Sequence, residues 1–155
     1  MAPNAFLNFL YSGNFPKAPG TAGSLLAVLL GVGISRFISM ETLVLLTILV
    51  TMIALKQINT FEANGGEHDD SRIVVDEVIG IWIALILSST TWIQIILSFV
   101  FFRLFDIWKP SLIGKIDRNV KGGWGVMGDD MLAGVIAGIC SAGVFQLIEM
   151  ASKLS

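Results

Sequence analysis

Five long apolar segments, separated by short polar stretches, dominate the 155-residue chain. They cover about residues 21–39, 41–58, 73–89, 92–109 and 130–150. Each is roughly 17 to 21 residues long, about the length that a helix needs to cross the ~30 Å hydrocarbon layer of a bilayer. Backbone groups in lipid have no water to bond with, so helices are the expected form. The pattern predicts an all-α, polytopic membrane bundle of about five helices, forming a single domain over residues 1–155.

The overall composition also favours a membrane protein over a soluble one. Hydrophobic residues make up 54% of the chain, charged residues only 14%, and the mean hydropathy is +0.78. A soluble domain carries about 25% charged residues. The net charge of -2 does not indicate a nucleic-acid partner. Cys140 is the only cysteine, so no internal disulfide can form, and the absence of a signal-peptide pattern predicts that the chain keeps its N-terminus.

The order of the segments predicts which polar stretches share a face of the membrane. An odd number of spans places the N-terminal arm, the 59–72 loop and the 110–129 loop on one face. That face then carries eight of the ten cations and ten of the twelve acids, with only Arg36 and Lys153 opposite among the cations. The excess of Lys and Arg makes the crowded face cytoplasmic. Three loops far apart in the chain are therefore expected to build one site there.

The densest polar cluster lies before the last apolar segment, at residues 117–130. It holds Asp117, Asp129 and Asp130 together with two cations, an amide and four glycines. Acids can converge on a divalent cation, and glycine lets the backbone approach a ligand closely. The run Gly122-Gly123-x-Gly125 is consistent either with a flexible turn or with a backbone nest for phosphate.

Asp76 and Glu77 form a second acidic pair, near the start of the third apolar segment. A charge inside the bilayer costs a few kcal/mol, so such residues are usually paired or liganded. One interpretation is that both are solvated at the interface, where the helix dipole favours acids. The other makes them metal ligands, together with acids from the same face, and we favour it.

Arg103, Asp106 and Lys109 follow one another at three-residue intervals near the end of the fourth segment. Consecutive members lie within one helical turn. They could form a local ion pair at a helix end whose long side chains reach toward water. The functional interpretation assigns Asp106 to a metal and the two cations to phosphate oxygens.

Two further stretches of the same face carry weaker signals. The Gly/Thr/Ser cluster with Thr21 and Ser24 opens the first segment, where it could either cap a helix or bind an anion. His68, the only histidine, could be a solvated loop residue, an acid/base group or a metal ligand.

Small residues line one face of the fifth segment and include Gly134-x-x-x-Gly138. This spacing lets helix backbones approach closely. It predicts either packing within the chain or a seam for oligomerisation.

Several hydrolytic chemistries lack their residues in this sequence. Cys140 lies within an apolar segment, one histidine cannot serve as both nucleophile and acid/base, and the paired Asp motif of CDP-alcohol phosphotransferases is missing. Acids, cations and glycines remain, which suit metal-assisted attack of water on a phosphoryl group. Alternatives are a membrane cation transporter with an acid-lined path and a structural membrane protein without an active site.

Four motifs in the chain resemble those of the phosphatidylglycerophosphatase A family. They are Pro19-Gly-Thr-x-Gly-Ser24, Ile73-Val-x-Asp-Glu-x-x-Gly80, Phe102-Arg-x-x-Asp-x-x-Lys-Pro110 and Asp117-Arg-Asn-x-x-Gly-Gly123 continuing to Asp129-Asp130. The resemblance implies a Mg²⁺-dependent enzyme of the bacterial inner membrane. Such an enzyme removes the terminal phosphate of phosphatidylglycerophosphate, although another lipid phosphate such as phosphatidic acid stays an alternative substrate. The clearest local departure from the family pattern lies at residues 69–72.

The resemblance also implies site residues. The family's acidic positions fall on Asp76, Glu77, Asp106, Asp117, Asp129 and Asp130, and its basic and polar ones on Arg103, Lys109, Arg118 and Asn119. We expect metal to be held by Asp76, Glu77, Asp106, Asp129 and Asp130. We expect Thr21 and Ser24 to join the basic and polar group in binding substrate phosphate.

Overall fold

The computed structural model describes residues 5–9, 19–67, 70–110 and 112–154, without the side chains of Pro19, Asp117 and Arg118. Within these ranges the protein is all-helical, as predicted. Its six helices are α1 (Pro19–Phe37), α2 (Met40–Ala63), α3 (Val75–Ser88), α4 (Trp92–Trp108), α5 (Leu112–Asn119) and α6 (Gly123–Leu154). His68, a candidate from the sequence, lies outside the described residues.

The five predicted segments correspond to α1, α2, α3, α4 and α6, and the differences concern the 110–129 loop. Part of that loop forms the short helix α5, whose buried Ile113 lies on the hydrophobic core. α6 begins at Gly123, seven residues before the predicted start at residue 130. Gly122 makes the turn between the two helices with a φ of 74°, a left-handed conformation that suits glycine. Gly122 thus forms a turn, and the phosphate nest that the same glycine run could provide stays a prediction.

α3 is the central helix, and α1, α2, α4 and α6 all pack against it. Its contact with α6 is the closest. A side chain on Gly134 would overlap the backbone of Gly80, and one on Gly138 would lie 2.9 Å from the carbonyl oxygen of Ala84. The small-residue face of the last helix therefore packs within the chain, against α3. Oligomerisation stays a prediction.

The outer surface of the bundle is apolar, as expected for a protein in lipid. Large hydrophobic side chains are exposed along α1, α2, α4 and α6, among them Leu29, Leu45, Ile96 and Ile139. Among the described residues, three helices are long and apolar enough to span a membrane, at Gly20–Phe37, Met40–Ala63 and Gly123–Leu154. These features make the chain a membrane protein. α3 and α4 are shorter, with 14 and 17 residues.

Contacts at the two ends of the bundle agree with the predicted threading. At one end Arg36 of α1 donates to the carbonyl oxygen of Thr90 at 2.7 Å and lies 4.8 Å from the centre of the Trp92 ring. At the other end the backbone N–H of Gly123, which opens α6, donates to Oδ1 of Asn59 near the end of α2 at 2.8 Å. Asn59 and Gly123, which border the α2–α3 loop and the α4–α6 connection, thus meet at the end of the bundle opposite Arg36.

Candidate active site

A polar cavity of about 330 Å³ lies at the end of the bundle where α1 and α3 begin and α4 ends. Five separate parts of the chain contribute to its wall. The lining residues are Gly20, Thr21, Asp70, Ser71, Ile73, Asp76, Glu77, Arg103, Asp106, Lys109, Val126, Asp129 and Asp130. The structure therefore brings together most of the acids and cations that the sequence singled out.

Glu77 lies in the first turn of α3 and against the first turn of α1. Its Oε2 accepts a hydrogen bond from the Ser24 hydroxyl at 3.0 Å and lies 3.5 Å from Nη1 of Arg103. Gly20 has no side chain at this contact, and a Cβ there would overlap the Glu77 carboxylate. The positive end of the α1 dipole also favours a carboxylate at this position. Glu77 is thus fixed by α1 and α4 as well as by its own helix.

Arg103 joins three helices at the cavity wall. Its Nη1 donates to Oδ2 of Asp106, one turn further along α4, at 2.5 Å. Its Nη2 lies 3.5 Å from the Thr21 hydroxyl of α1, and its contact with Glu77 reaches α3. The local Arg–Asp pair suggested by the sequence is therefore present, and it forms part of a larger network.

Lys109 ends α4 in a left-handed conformation, with a φ of 43°. Its Nζ donates to Oδ2 of Asp129 at 2.8 Å, which joins the end of α4 to α6. Asp129 and the adjacent Asp130 both line the cavity, and both are almost completely buried. The two cations of the wall, Arg103 and Lys109, thus each contact a carboxylate.

Asp76 and Asp70 complete the acidic wall. Asp76 is buried at the start of α3, where its Oδ1 accepts the backbone N–H of Glu77 at 2.9 Å. Asp70, in the α2–α3 loop, was not among the predicted site residues. Its Oδ1 accepts from the Arg72 backbone N–H at 3.0 Å and from Arg72 Nε at 2.9 Å, and these bonds hold the pKa of Asp70 below its ordinary value. The sequence signals for Asp70 were its place in the 59–72 loop on the site face and the local departure from the family pattern at residues 69–72.

Some predicted residues do not line this cavity. Ser24 is completely buried behind Glu77 and contacts the cavity only through that carboxylate. Asn119 is exposed on α5, and its Nδ2 donates to the carbonyl oxygen of Lys115 at 2.9 Å. The side chains of Asp117 and Arg118 lie outside the described part of the chain, so their place relative to the cavity stays a prediction.

The donor atoms of the cavity suit a hard divalent cation, because carboxylate oxygens are the ligands that Mg²⁺ prefers. Their present arrangement does not form a closed cage. Among the described residues, no three His, Cys, Asp or Glu side chains are grouped so that they could hold a metal ion. Arg103 and Lys109 lie among the acids and bond to two of them. The cavity therefore fits a metal in the chemistry of its donors, and the metal site stays a prediction.

The fold and the cavity define a helical membrane protein with an acid-rich site, containing two cations, at one end of the bundle. Its family follows from the sequence: residues 5–145 match the family model described as phosphatidylglycerophosphatase A, and the chain belongs to this family. It is accordingly a phosphoric monoester hydrolase, and the resemblance stated from the four motifs is confirmed.

Individual relatives agree over most of the chain. Phosphatidylglycerophosphatase A of Escherichia coli is 40% identical over 88% of this chain and 77% of its own length. The protein of the same name from Haemophilus influenzae is 36% identical over 81% of this chain and 78% of its own length. A putative phosphatidylinositol-3-phosphatase of Bacteroides thetaiotaomicron is 41% identical over 84% of this chain and 86% of its own length. No solved structure matches the chain.

Proposed function

We propose that the protein hydrolyses the terminal phosphate of phosphatidylglycerophosphate, giving phosphatidylglycerol and inorganic phosphate, with Mg²⁺ as cofactor. Family membership and the names of the Escherichia coli and Haemophilus influenzae relatives support this substrate. The excess of Lys and Arg on the site face supports an active site on the cytoplasmic side of a bacterial inner membrane.

The charge of the cavity wall is the observation that carries the Mg²⁺ proposal. Six carboxylates line the cavity but only two cations do. Counted as ionised groups, and with Arg72 set against its partner Asp70, they leave an excess of three negative charges in a partly buried space. A phosphate monoester brings about 1.5 to 2 further negative charges at pH 7. Because like charges repel strongly where water is excluded, the substrate would need additional positive charge beside it.

The proposed metal ligands are the five acids of the wall that come from α3, α4 and α6: Asp76, Glu77, Asp106, Asp129 and Asp130. Bound Mg²⁺ would supply positive charge beside the phosphoryl oxygens and lower the pKa of a coordinated water. Arg103 and Lys109 would shift from their carboxylate partners toward the phosphate. The Thr21 hydroxyl lies beside Arg103 and would donate a hydrogen bond to the same phosphate. The resemblance also implies a phosphate-binding role for Arg118 and Asn119, although Asn119 does not line the cavity.

Hydrolysis needs one bond to form and one to break at phosphorus. The oxygen of water bonds to phosphorus while the bond from phosphorus to the glycerol oxygen breaks. One cavity carboxylate would accept the water proton, and the leaving oxygen would take a proton to become the free alcohol of phosphatidylglycerol. Arg103 and Lys109 would offset the charge on the remaining phosphoryl oxygens, and Ser24 would keep Glu77 in position.

The deciding experiment measures phosphate release from phosphatidylglycerophosphate by the purified protein in detergent, first with Mg²⁺ and then with EDTA. We expect release that EDTA abolishes and added Mg²⁺ restores. No release from this lipid by folded protein with Mg²⁺ present would overturn the substrate, and release that persists in EDTA would overturn the metal.

Single variants test the acids separately. Asp130→Asn and Glu77→Gln should abolish turnover while the protein stays folded in membranes. Glu149→Gln is the matched control, because Glu149 is exposed near the end of α6 remote from the cavity. Retained activity in either cavity variant would remove that residue from the proposed ligand set.

A second candidate substrate is a different lipid phosphate. The Bacteroides relative named as a putative phosphatidylinositol-3-phosphatase is as similar to this chain as the Escherichia coli protein. Overall identity therefore does not select the headgroup. Rates on phosphatidylglycerophosphate, phosphatidylinositol 3-phosphate and phosphatidic acid, compared under the same conditions, will do so.

A further inference from the structure

A second, apolar groove of about 390 Å³ lies between α2 and α6, with α3 as its floor. Its lining residues are Val44, Thr47, Ile48, Thr51, Met52, Leu55, Ile83, Ile86, Trp124 and Met131. None of them is charged, and none lines the acidic cavity. The groove is therefore separate from the proposed active site in both its residues and its chemistry.

The two threonines do not make the groove polar. The Thr47 hydroxyl donates to the carbonyl oxygen of Leu43, and the Thr51 hydroxyl to that of Thr47, each at 2.7 Å. Both hydroxyl donors are thus bonded within α2, to carbonyl oxygens one helical turn earlier in the chain. A ligand in the groove would meet hydrocarbon along its whole length, so the groove offers affinity only to an apolar group.

The surroundings of the groove belong to the lipid-facing surface. Leu45 and Leu49 of α2 are exposed beside the lining residues Ile48 and Met52, so the groove continues an apolar outer face. Trp124, at the start of α6, lines the groove at the end opposite Val44, and its side chain is 59% exposed. An exposed tryptophan at a helix end is typical of the membrane interface, where the ring contacts both lipid chains and headgroups.

The size of the groove matches one hydrocarbon chain. An apolar cavity of about 150 Å³ accepts benzene, so a space of this volume has room for roughly fifteen carbon atoms. From Val44 to Leu55 the lining of α2 extends about 16 Å along the helix axis. A wholly apolar space whose α2 wall extends over this length suits a chain better than a compact ligand.

We propose that this groove binds an acyl chain of a bilayer phospholipid, which makes it a lipid site separate from the substrate cavity. The lipid headgroup lies beside Trp124, and the chain runs toward Val44 in the opposite half of the bundle. A helix of a second copy fits less well, because close helix pairing uses small residues. The small residues of α6, Gly134 and Gly138, already pack on α3, and the groove walls of α2 carry Val, Ile, Met and Leu.

Native mass spectrometry of the full-length protein, purified from membranes in a mild detergent, tests this site. We expect the wild type to retain one phospholipid per chain. Thr51→Phe and Ile86→Phe place a ring in the groove, and each should reduce retained lipid about tenfold if it displaces two methylene contacts. Leu45→Phe is the matched control, since Leu45 is exposed on α2 outside the groove, and it should retain lipid like the wild type.

A second measurement needs no variant. A phospholipid with a photoreactive group in its acyl chain, added to the wild type in vesicles, should label peptides of α2 and α6 that line the groove. Equal lipid retention by the wild type and both filled variants, or labelling spread evenly over all exposed helices, would overturn the proposal. If the wild type is a dimer and the Thr51→Phe variant is a monomer, the groove binds a second copy of the chain instead, and the proposal is overturned.

Discussion

The contact between α3 and α6 gives the most direct test of how packing positions the candidate site. A Cβ on Gly134 would lie 2.9 Å from the carbonyl carbon and 3.0 Å from the Cα of Gly80, and would overlap the carbonyl oxygen. These are backbone atoms, which cannot rotate away as a side chain can. Gly134→Ala should therefore push the two helices apart.

Gly143 of the same helix provides a matched control, because a Cβ there would meet nothing within 4 Å. In both variants alanine gains about 0.8–1.0 kcal/mol of helix propensity over glycine. This gain cancels when the two are compared, which leaves the steric cost at Gly134, about 1–3 kcal/mol for overpacking. At 2–4 °C per kcal/mol for a chain of this size, Gly134→Ala should melt about 2–12 °C below Gly143→Ala.

The assay is thermal unfolding of both purified variants in the same detergent, followed by circular dichroism. Activity should fall in Gly134→Ala as well, since the Asp130 carbonyl oxygen would lie 2.7 Å from a Cβ on Gly80 and the same contact thus sets the position of Asp130. Equal melting temperatures and equal phosphate release for the two variants would refute the reasoning.

Two further variants test the charged groups. Lys109→Met removes the cation 2.8 Å from the buried Asp129 carboxylate and should destabilise the protein by about 1–3 kcal/mol in thermal unfolding. Lys115 is exposed on α5, so Lys115→Met is the control and should change stability by less than about 0.5 kcal/mol. Similar losses of stability in both variants would argue against the ion pair. Because Arg72 lowers the pKa of Asp70 from 3.8, wild type should be more stable than Asp70→Asn above about pH 4 and lose this advantage as the pH falls through the lowered pKa. If the difference in melting temperature between wild type and Asp70→Asn is the same at pH 6 and at about pH 3, the predicted pH dependence is wrong.

The sequence was sufficient for the long helices and for the end of the bundle where the site forms. Apolar length identifies helices that lipid requires, and their alternating direction places the loops. The same reasoning missed α5, because its eight residues are half polar and contain no long apolar run. It also began α6 too late, because glycines usually indicate a turn. At Gly123 the glycine meets a packing requirement inside the helix, because a Cβ there would lie 2.9 Å from the Leu55 carbonyl oxygen.

The partners of individual site residues could not be predicted in the same way. Lys109 pairs with Asp129, and Arg103 contacts both Glu77 and Thr21, and each pair joins different helices. Topology predicts that these residues share one end of the bundle, whereas their pairing depends on how far each helix is rotated and shifted. Asp70 was not predicted as a site residue for a related reason. It lies in a loop, and its side chain reaches the cavity because of the particular turn that the backbone N–H groups of Arg72 and Ile73 stabilise.

The short central helix explains how an acidic cavity can form within a membrane protein. The 14 residues of α3 extend about 21 Å, about 9 Å less than the hydrocarbon layer. α6 agrees with this, since it begins six residues, again about 9 Å, before Asp129. The carboxylates line a cavity beside helix ends where Trp108 and Trp124 are exposed. A lipid phosphate is held at headgroup level by its own acyl chains, so it could enter a cavity at such a helix end while the chains stay in the bilayer. A soluble phosphate monoester has no such tether, so a cavity at headgroup level would favour lipid substrates.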